Sequence, residues 1–179
     1  QTAYVLPLQF DIFKGEEKKN AVKNLVKLIE KSNYTVETGF PGTPYILFAL
    51  CDNGEKTTAF RLLTSERCPS WLYEVKAGAT TVWERWDGLD EKGCCPIGDD
   101  GTAAVMISYN HYASGAACDF LYKRVLGIEP IEAGYKKFRI KPITGGGITF
   151  AKGGVETPYG KAESEWKEEN GKFFFKVKI

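Results

Sequence analysis

The sequence predicts an α+β fold, with helices in the first two-thirds of the chain and antiparallel strands in the remainder. Two patterns support this prediction. Between residues 16 and 32, apolar side chains recur every third or fourth position, which is the spacing of a helix with one buried stripe. Between residues 161 and 167, small or aromatic side chains alternate with charged ones, which is the spacing of a strand with one wet face.

The helical part is expected to contain five helices joined by loops. A turn sequence at residues 52–54 separates two of them. The last helix is expected to bury Phe120, Leu121 and Val125 and to end at Gly127. The helices are expected over residues 4–13, 16–32, 45–51, 55–63 and 112–125.

The strand part is expected to form one antiparallel sheet of four strands. Alternation places Ala162, Ser164 and Trp166 on the same face of one strand. Turn residues at 145–147 and 169–171 separate the strands. The strands are expected over residues 135–141, 148–151, 161–167 and 173–179.

The change of pattern predicts two domains, residues 1–130 and residues 131–179. The chain begins with Gln1, and its last strand pattern runs to the final residue. We therefore expect both ends to be cuts within a longer protein.

The charge balance argues against two classes of partner. With 24 basic and 23 acidic side chains, the formal net charge is +1. Such a chain lacks the basic surface that binds nucleic acid or an anionic membrane. No apolar stretch approaches the ~20 residues of a membrane-spanning helix.

The five cysteines do not match a disulfide framework or a zinc site. Their number is odd, their spacing is irregular, and adjacent Cys94 and Cys95 lack the second pair and the histidine that zinc would require. We therefore expect reduced thiols with no metal and no cofactor. Reduced thiols favour a cytosolic compartment without establishing one.

A functional site is expected in two long glycine-bearing loops, residues 34–44 and 83–105, because long ordered loops are often functional. His111 is the single histidine, and no G-x-S-x-G nucleophile motif is present. The glycines at 145–147 lack the Lys-Ser/Thr that completes a phosphate-binding loop. Carboxylates remain, and pairs of carboxylates cleave glycosidic bonds.

One segment places a carboxylate between two indoles. Glu84 lies between Trp83 and Trp86, with Arg85 adjacent and Asp87 three residues on. Indole faces stack on the apolar side of a sugar ring, and a carboxylate oriented by arginine can activate water. An alternative is equally compatible with the pattern: a strand whose tryptophans are core and whose Glu84–Arg85 pair is a surface ion pair.

Residues 80–88 resemble the T-T-x-W-E-R-W-D/E segment of the α-L-rhamnosidases of glycoside hydrolase family seventy-eight. The resemblance extends in order along essentially the whole chain. The other segments that carry it are residues 39–45 (G-F-P-G-T-P-Y), 69–75 (P-S-W-L-Y-E-V), 110–113 (N-H-Y-A), 134–138 (G-Y-K-K-F) and 156–160 (E-T-P-Y-G).

The resemblance implies the C-terminal part of an (α/α)6 barrel followed by the start of a β-sandwich domain. It also implies inverting hydrolysis of terminal α-L-rhamnosyl groups from a rhamnose-containing glycoside or oligosaccharide, in which a carboxylic acid protonates the leaving oxygen and a carboxylate activates water. By position in the motifs, Glu84 corresponds to the general base. The implied substrate contacts are His111, Trp83, Trp86, Asp87 and Asn110, with core packing equally open for Trp86.

Two departures qualify this resemblance. The aspartate- and arginine-rich segment that carries the family's general acid has no match here, and the loop from 89 to 105, with Cys94 and Cys95, is longer than usual. A fragment without the acid is expected to be inactive alone and to self-associate through exposed helix faces. The alternative function is a non-catalytic carbohydrate-binding or structural fragment.

Two other carboxylates lie near the candidate loops. Glu37 is close to Gly39, and Glu74 shares an apparent helix with Trp71 and Tyr73. For Glu74 we expect a structural ion pair, because isolated glutamates in helices are usually solvated or paired.

Overall fold

The structure, a computed structural model, describes residues 1–89 and 107–179. The predicted loop insertion with Cys94 and Cys95 lies outside the described residues. The chain divides into two compact units, Gln1–Ala117 (the first unit) and Cys118–Ile179 (the second unit). The predicted division at residue 130 into two domains stays a prediction.

The predicted helices over the first 63 residues are present, each with its bounds shifted by a few residues. In α2, Glu16 and Glu17 occupy the first turn and Lys31 the last, which matches the polarity of the helix dipole. The helices are α1 (Thr2–Gln9), α2 (Gly15–Lys31), α3 (Ile46–Cys51), α4 (Lys56–Leu63), α5 (Trp71–Lys76), α6 (Tyr112–Gly115) and α7 (Ala117–Phe120).

These helices pack as neighbouring pairs around a buried α3. Helix α1 contacts α2 and α3, and α3 contacts α4. All six residues of α3 are buried, whereas α2 buries only the stripe formed by Ala21, Leu25 and Ile29. Burial of one such leucine or isoleucine side chain stabilises the fold by about 1.5–3 kcal/mol. Among the described residues, no helix is long and apolar enough to cross a membrane.

The predicted helix over residues 112–125 is broken into three short pieces. Helices α6 and α7 meet near Gly115, and a π-helical turn, Leu121–Val125, follows them. Phe120 and Val125 are buried as predicted, but Leu121 is 38% exposed. The prediction was wrong for Leu121 because a π turn holds one more residue than an α turn and rotates the following positions.

The second unit contains two antiparallel sheets in place of the single predicted sheet. Strand β1 (Ile128–Pro130) pairs with β2 (Phe138–Ile140). The other sheet has the order β3 (Phe150–Thr157), β4 (Gly160–Glu169), β5 (Lys172–Lys178). The sequence missed β1 because it is three residues long and ends in proline, which is depleted in strands. The α+β fold, with helical hairpins followed by small antiparallel sheets, is confirmed.

Strand β4 has the inner face that its alternation predicts. Ala162, Ser164 and Trp166 are each about 1% exposed. The Trp166 Nε1–H donates to the Val125 carbonyl at 2.7 Å, and the Ser164 hydroxyl donates to the Leu126 carbonyl at 2.8 Å. Both buried polar side chains are therefore satisfied. All seven residues of β5 are exposed, so the same alternation gives no buried face at this edge strand.

Candidate active site

The first unit contains an open depression of about 420 Å³ that gathers part of the predicted site. It is lined by four residues of the loop at 38–43, by Cys68 and Pro69, by residues 84–87 and by Ser114 of α6. Of the six predicted site residues, Glu84, Trp86 and Asp87 line it. Trp83, Asn110 and His111 do not line it and lie in the chain segments that support it.

Two extended segments run antiparallel behind this depression and position Glu84. The Glu84 N–H donates to the Ser108 carbonyl at 2.9 Å, and the His111 N–H donates to the Val82 carbonyl at 2.8 Å. The Thr81 hydroxyl donates to the Tyr109 carbonyl. Residues 81–84 are therefore tied to residues 108–111 along one side. This explains why a motif at residue 84 and another at residue 111 belong to the same site.

The carboxylate of Glu84 is held at one oxygen. Its Oε2 accepts the Ser108 N–H at 2.8 Å, and its side chain is half-buried at the wall of the depression. Within residues 1–89 and 107–179, no protein donor contacts the other oxygen, Oε1. This geometry suits a general base.

Arg85 pairs with Asp87 and not with Glu84, so the alternative Glu84–Arg85 ion pair is wrong. The Arg85 Nε–H and Nη2–H donate to the two oxygens of Asp87 at 3.0 and 2.9 Å. This two-point hydrogen bond holds the pKa of Asp87 below its usual range and raises that of Arg85. Asp87 is therefore an ionised, occupied carboxylate and a poor proton donor.

The two tryptophans of the motif differ in exposure. The Trp83 indole is 2% exposed and packs edge-on against Tyr109, with ring centroids 5.7 Å apart. A Cβ at Gly88 would lie 3.1 Å from the Trp83 ring, so glycine permits this close packing. Trp86 is half-buried, lines the depression and packs edge-on against Trp71 at 5.4 Å. Trp86 thus combines core packing with a surface that a ligand can reach.

His111 connects the motif to the glycine-bearing loop. Its ring stacks on Phe40, with centroids 4.5 Å apart and planes tilted by 22°. Its Nδ1 accepts the Ala113 N–H at 3.4 Å, which caps α6 and places the ring proton of the neutral form on Nε2. Asn110 is exposed, and its backbone forms a small turn with the Ser108 hydroxyl.

Glu74 is the most unusual carboxyl group near the site. It lies on α5, as predicted, and is 2% exposed. The expected ion pair is wrong, because its Oε2 accepts the Trp83 N–H at 3.1 Å and no cation pairs with it among the described residues. Its Oε1 is buried and has no hydrogen-bond partner in the described ranges, 1–89 and 107–179. Desolvation raises the pKa of Glu74 to about 7, although the Trp83 N–H opposes that shift.

Other candidate chemistries fit the described residues poorly. A larger open groove, of about 750 Å³, contains Glu66, but that carboxylate is exposed and paired with Lys76. Desolvation, and then the charges of Asp87 and Glu74, raise the pKa of Cys68, so this residue stays a neutral thiol and a poor nucleophile. No group of three or more His, Cys, Asp or Glu side chains is placed to hold a metal ion in the described parts of the chain.

Sequence reasoning missed several residues of the site. Thr38, Phe40 and Thr43 come from the loop whose length and glycines signalled function. Phe40 and Thr43 lie in the segment 39–45 that carries the family resemblance, but none of the three was predicted as a site residue. The loop is held in place by α1, because the Gly39 N–H donates to the Thr2 hydroxyl at 3.1 Å and Gly42 leaves no room for a Cβ beside Thr2. Contacts of this kind join distant segments and have no local pattern.

The sequence profile of the bacterial alpha-L-rhamnosidase 6-hairpin glycosidase domain matches residues 1–125, and that of the bacterial alpha-L-rhamnosidase C-terminal domain matches residues 127–179. An alpha-L-rhamnosidase of Formosa agariphila is 39% identical over 180 residues, covering 100% of this chain and 19% of that protein. An alpha-L-rhamnosidase of Streptomyces avermitilis is 37% identical over 173 residues, covering 97% of this chain and 16% of that protein. The chain spans less than a fifth of the length of these relatives.

Two solved structures resemble the chain over both of its units. The Streptomyces avermitilis alpha-L-rhamnosidase complexed with L-rhamnose aligns with a TM-score of 0.89 at 36% identity, covering 99% of this chain and 17% of that one. The native alpha-L-rhamnosidase of Aspergillus terreus aligns with a TM-score of 0.88 at 36% identity, covering 98% of this chain and 20% of that one.

Proposed function

The chain belongs to the bacterial α-L-rhamnosidase family, and from this premise we propose that it forms part of the active site of an enzyme that hydrolyses terminal α-L-rhamnosides. The observation that carries the proposal is the placement of Glu84. Its carboxylate reaches an open depression, with one oxygen held by the Ser108 N–H and the other without a protein donor among the described residues.

In this proposal Glu84 is the general base of an inverting hydrolysis. Oε1 of Glu84 removes a proton from water as the water oxygen bonds to the anomeric carbon. The glycosidic C–O bond breaks at the same time, and a carboxylic acid on the other side of the sugar protonates the departing oxygen. The two carboxyl groups of such enzymes are about 6.5–9.5 Å apart, which leaves room for the water.

We propose that the general acid comes from a part of the enzyme outside this chain. Asp87 is the other carboxylate that lines the depression among the described residues, and its paired arginine keeps it ionised. A catalytic acid must carry a proton at the working pH, which requires a raised pKa. Asp87 has the opposite shift, so it is better suited to accept hydrogen bonds from sugar hydroxyls.

The remaining predicted contacts fit the same substrate. Trp86 and Phe40 offer partly exposed rings beside Glu84, and aromatic rings pack on the apolar faces of sugars. The Nε2–H of His111 can donate to a hydroxyl oxygen, since Nδ1 is used in the cap of α6. The Asn110 side chain is exposed and can serve in the same way. Trp83 shapes this surface from inside the core.

Glu84→Gln in the full-length enzyme tests the assignment of the base. Gln keeps the acceptor for the Ser108 N–H but cannot take a proton, so we expect kcat to fall by about 10³-fold or more with the fold intact. Glu37→Gln is the matched control, because Glu37 is an exposed carboxylate beside the same loop and does not line the depression. Near-normal turnover by Glu84→Gln would refute the proposal.

A non-catalytic role remains the second candidate for the chain by itself, because within the described residues the depression offers one available carboxylate. Titration calorimetry with L-rhamnose and an aryl rhamnoside assay on the 179-residue chain separate the two. Binding without turnover supports a sugar-binding fragment, and turnover shows that an acid is present.

Self-association of this chain is also part of the proposal. Val22 and Val26 on α2 are half-buried and line an open depression of about 650 Å³ among lysines. Partly exposed valines on an amphipathic helix favour contact with another apolar surface. Sedimentation of the chain and of Val26→Lys tests this, and a monomer in both cases would contradict it.

A further inference from the structure

We propose that Glu74 is a positioning residue, which fixes the Trp83–Glu84 backbone through the hydrogen bond that its Oε2 accepts from the Trp83 N–H. Glu74 does not line the depression and is not a catalytic residue. This inference rests on the proposed function, because it assigns Glu74 a role in placing the proposed base.

The backbone around Glu84 is held on two opposite sides. Successive N–H groups of an extended chain point in opposite directions. The Glu84 N–H accordingly points to Ser108 on one side, and the Trp83 N–H points to Glu74 on the other. Residues 108–111 provide backbone partners on the first side. On the second side, the acceptor for this N–H is the side chain of Glu74.

Burial of the Glu74 carboxyl group is costly, although its position in the first turn of α5 matches the polarity of the helix dipole. The side chain is 2% exposed, its Oε1 has no partner, and no cation offsets its charge among the described residues. Burial of an unpaired carboxyl oxygen costs free energy that an apolar side chain of the same size would not cost. The hydrogen bond that Oε2 accepts from the Trp83 N–H is the specific contact that offsets this cost.

Loss of this acceptor would act directly on the proposed base. Without Glu74, the Trp83 N–H would be buried without a partner, and the backbone would move to find one. Glu84 is the next residue, so its carboxylate would shift away from the water that it activates. A displacement of about 1 Å in a catalytic group can lower the rate about 10²-fold.

Three variants of the full-length enzyme that contains this chain distinguish the effect of the hydrogen-bond acceptor at Glu74 from the effect of its negative charge. Glu74→Gln keeps an acceptor oxygen at the same reach without the charge. Glu74→Asp keeps the charge but withdraws the oxygen by one carbon, and Glu74→Met removes the acceptor at similar volume. Ile29→Val, a mild change in the buried stripe of α2, is the control for a loss of stability alone.

We expect kcat within about threefold of wild type for Glu74→Gln, a loss of roughly fivefold for Glu74→Asp, and roughly tenfold to hundredfold for Glu74→Met. KM should stay within about twofold throughout, because a misplaced base weakens the transition state and not substrate binding. Hydrogen exchange of the Trp83 amide should accelerate in Glu74→Met and remain unchanged in Glu74→Gln and Ile29→Val.

Each outcome decides the proposal. Equal losses for Glu74→Gln and Glu74→Met, or unchanged Trp83 exchange in Glu74→Met, would overturn it. If Glu74→Met does not fold, the test is the comparison of the other two variants. A higher kcat for Glu74→Gln than for Glu74→Asp supports the proposal, and a lower one would overturn it. Normal turnover by Glu84→Gln would refute the proposed function instead, and Trp83 exchange would still decide whether Glu74 holds this backbone.

Discussion

Two segments of this chain, β4 and residues 80–88, both contain tryptophan and charged side chains, but their polar groups differ in how completely they are hydrogen-bonded. In β4, Trp166 and Ser164 are buried, and each donates a short hydrogen bond to a backbone carbonyl. In the 80–88 segment, Glu84 keeps one oxygen without a protein donor among the described residues, and Glu74 behind it keeps another. Buried polar groups are normally hydrogen-bonded, so the unsatisfied oxygens in and behind the 80–88 segment fit the catalytic role that we propose for Glu84.

The largest effect on stability is expected from Trp166→Ala in β4. The indole is 1% exposed and stacks on Phe173 with centroids 5.8 Å apart. Its removal leaves a cavity and an unpaired Val125 carbonyl, so the free energy of unfolding should fall by about 4 kcal/mol. Trp86→Ala, at a half-buried position, should cost about 2 kcal/mol or less. Urea unfolding followed by circular dichroism measures both.

Equal losses for Trp166→Ala and Trp86→Ala would break this comparison, because they would place Trp86 in a fully packed core. Trp86 would then be unable to serve a ligand without unfolding its surroundings. Trp166→Phe controls for volume, since it keeps most of the packing and loses the hydrogen bond of the indole.

The next largest effect is expected from Glu74→Gln, and it depends on pH. Burial raises the pKa of Glu74 in the folded chain to about 7, from an ordinary value of 4.5. The folded state therefore favours the protonated form, so its contribution to stability is present below pH 4.5 and is lost as the pH rises towards 7. Glu74→Gln resembles the protonated form and should exceed wild type by up to about 3 kcal/mol at about pH 8.

The same comparison at about pH 4.5 supplies the control, because Gln and protonated Glu should there be similar in stability. Urea midpoints at about pH 4.5, 6 and 8 measure the difference. If the stability difference between Glu74→Gln and wild type is the same at about pH 4.5 and about pH 8, Glu74 is not a buried, unpaired carboxyl group.

The sequence predicted the helical hairpins of the first unit because their patterns are local. The stripe of α2 and the inner face of β4 each need only their own residues to be recognised. The residues of the candidate site also differ in whether a local pattern reveals them. Glu84 was identified by its motif, but its partner Ser108 lies 24 residues away and donates through its backbone, which has no sequence signal.

Glu74 shows where local reasoning fails. The sequence predicted an ion pair for Glu74 and could not show that the folded chain buries it with the Trp83 N–H as its partner. The division of the strands into two sheets was missed for a related reason, since β1 is too short to show alternation. Burial depends on how the whole chain folds. For Glu74 it leaves Oε1 without a hydrogen-bond partner among the described residues and brings Oε2 to the Trp83 N–H.

The smallest effect is expected from Asp87→Asn, which breaks the two-point pair with Arg85. Both side chains are about half exposed, at 50% and 49%, so solvent weakens the attraction, and the loss of stability should be about 0.5 kcal/mol or less. The lowered pKa of Asp87 means that this contribution is present at neutral pH and fades as the pH falls below about 4.

Glu165→Gln in β4 is the matched control for Asp87→Asn. Glu165 lies directly opposite Lys152 in the register of the sheet and makes a single contact at 3.4 Å, with the lysine 72% exposed. A flexible lysine with one contact should contribute less than an arginine with two parallel hydrogen bonds. Urea unfolding at about pH 7 compares the two losses. A cost of about 2 kcal/mol for Asp87→Asn would exceed what an exposed pair supplies, and would show that the Arg85–Asp87 pair also holds the backbone of residues 84–87 in place.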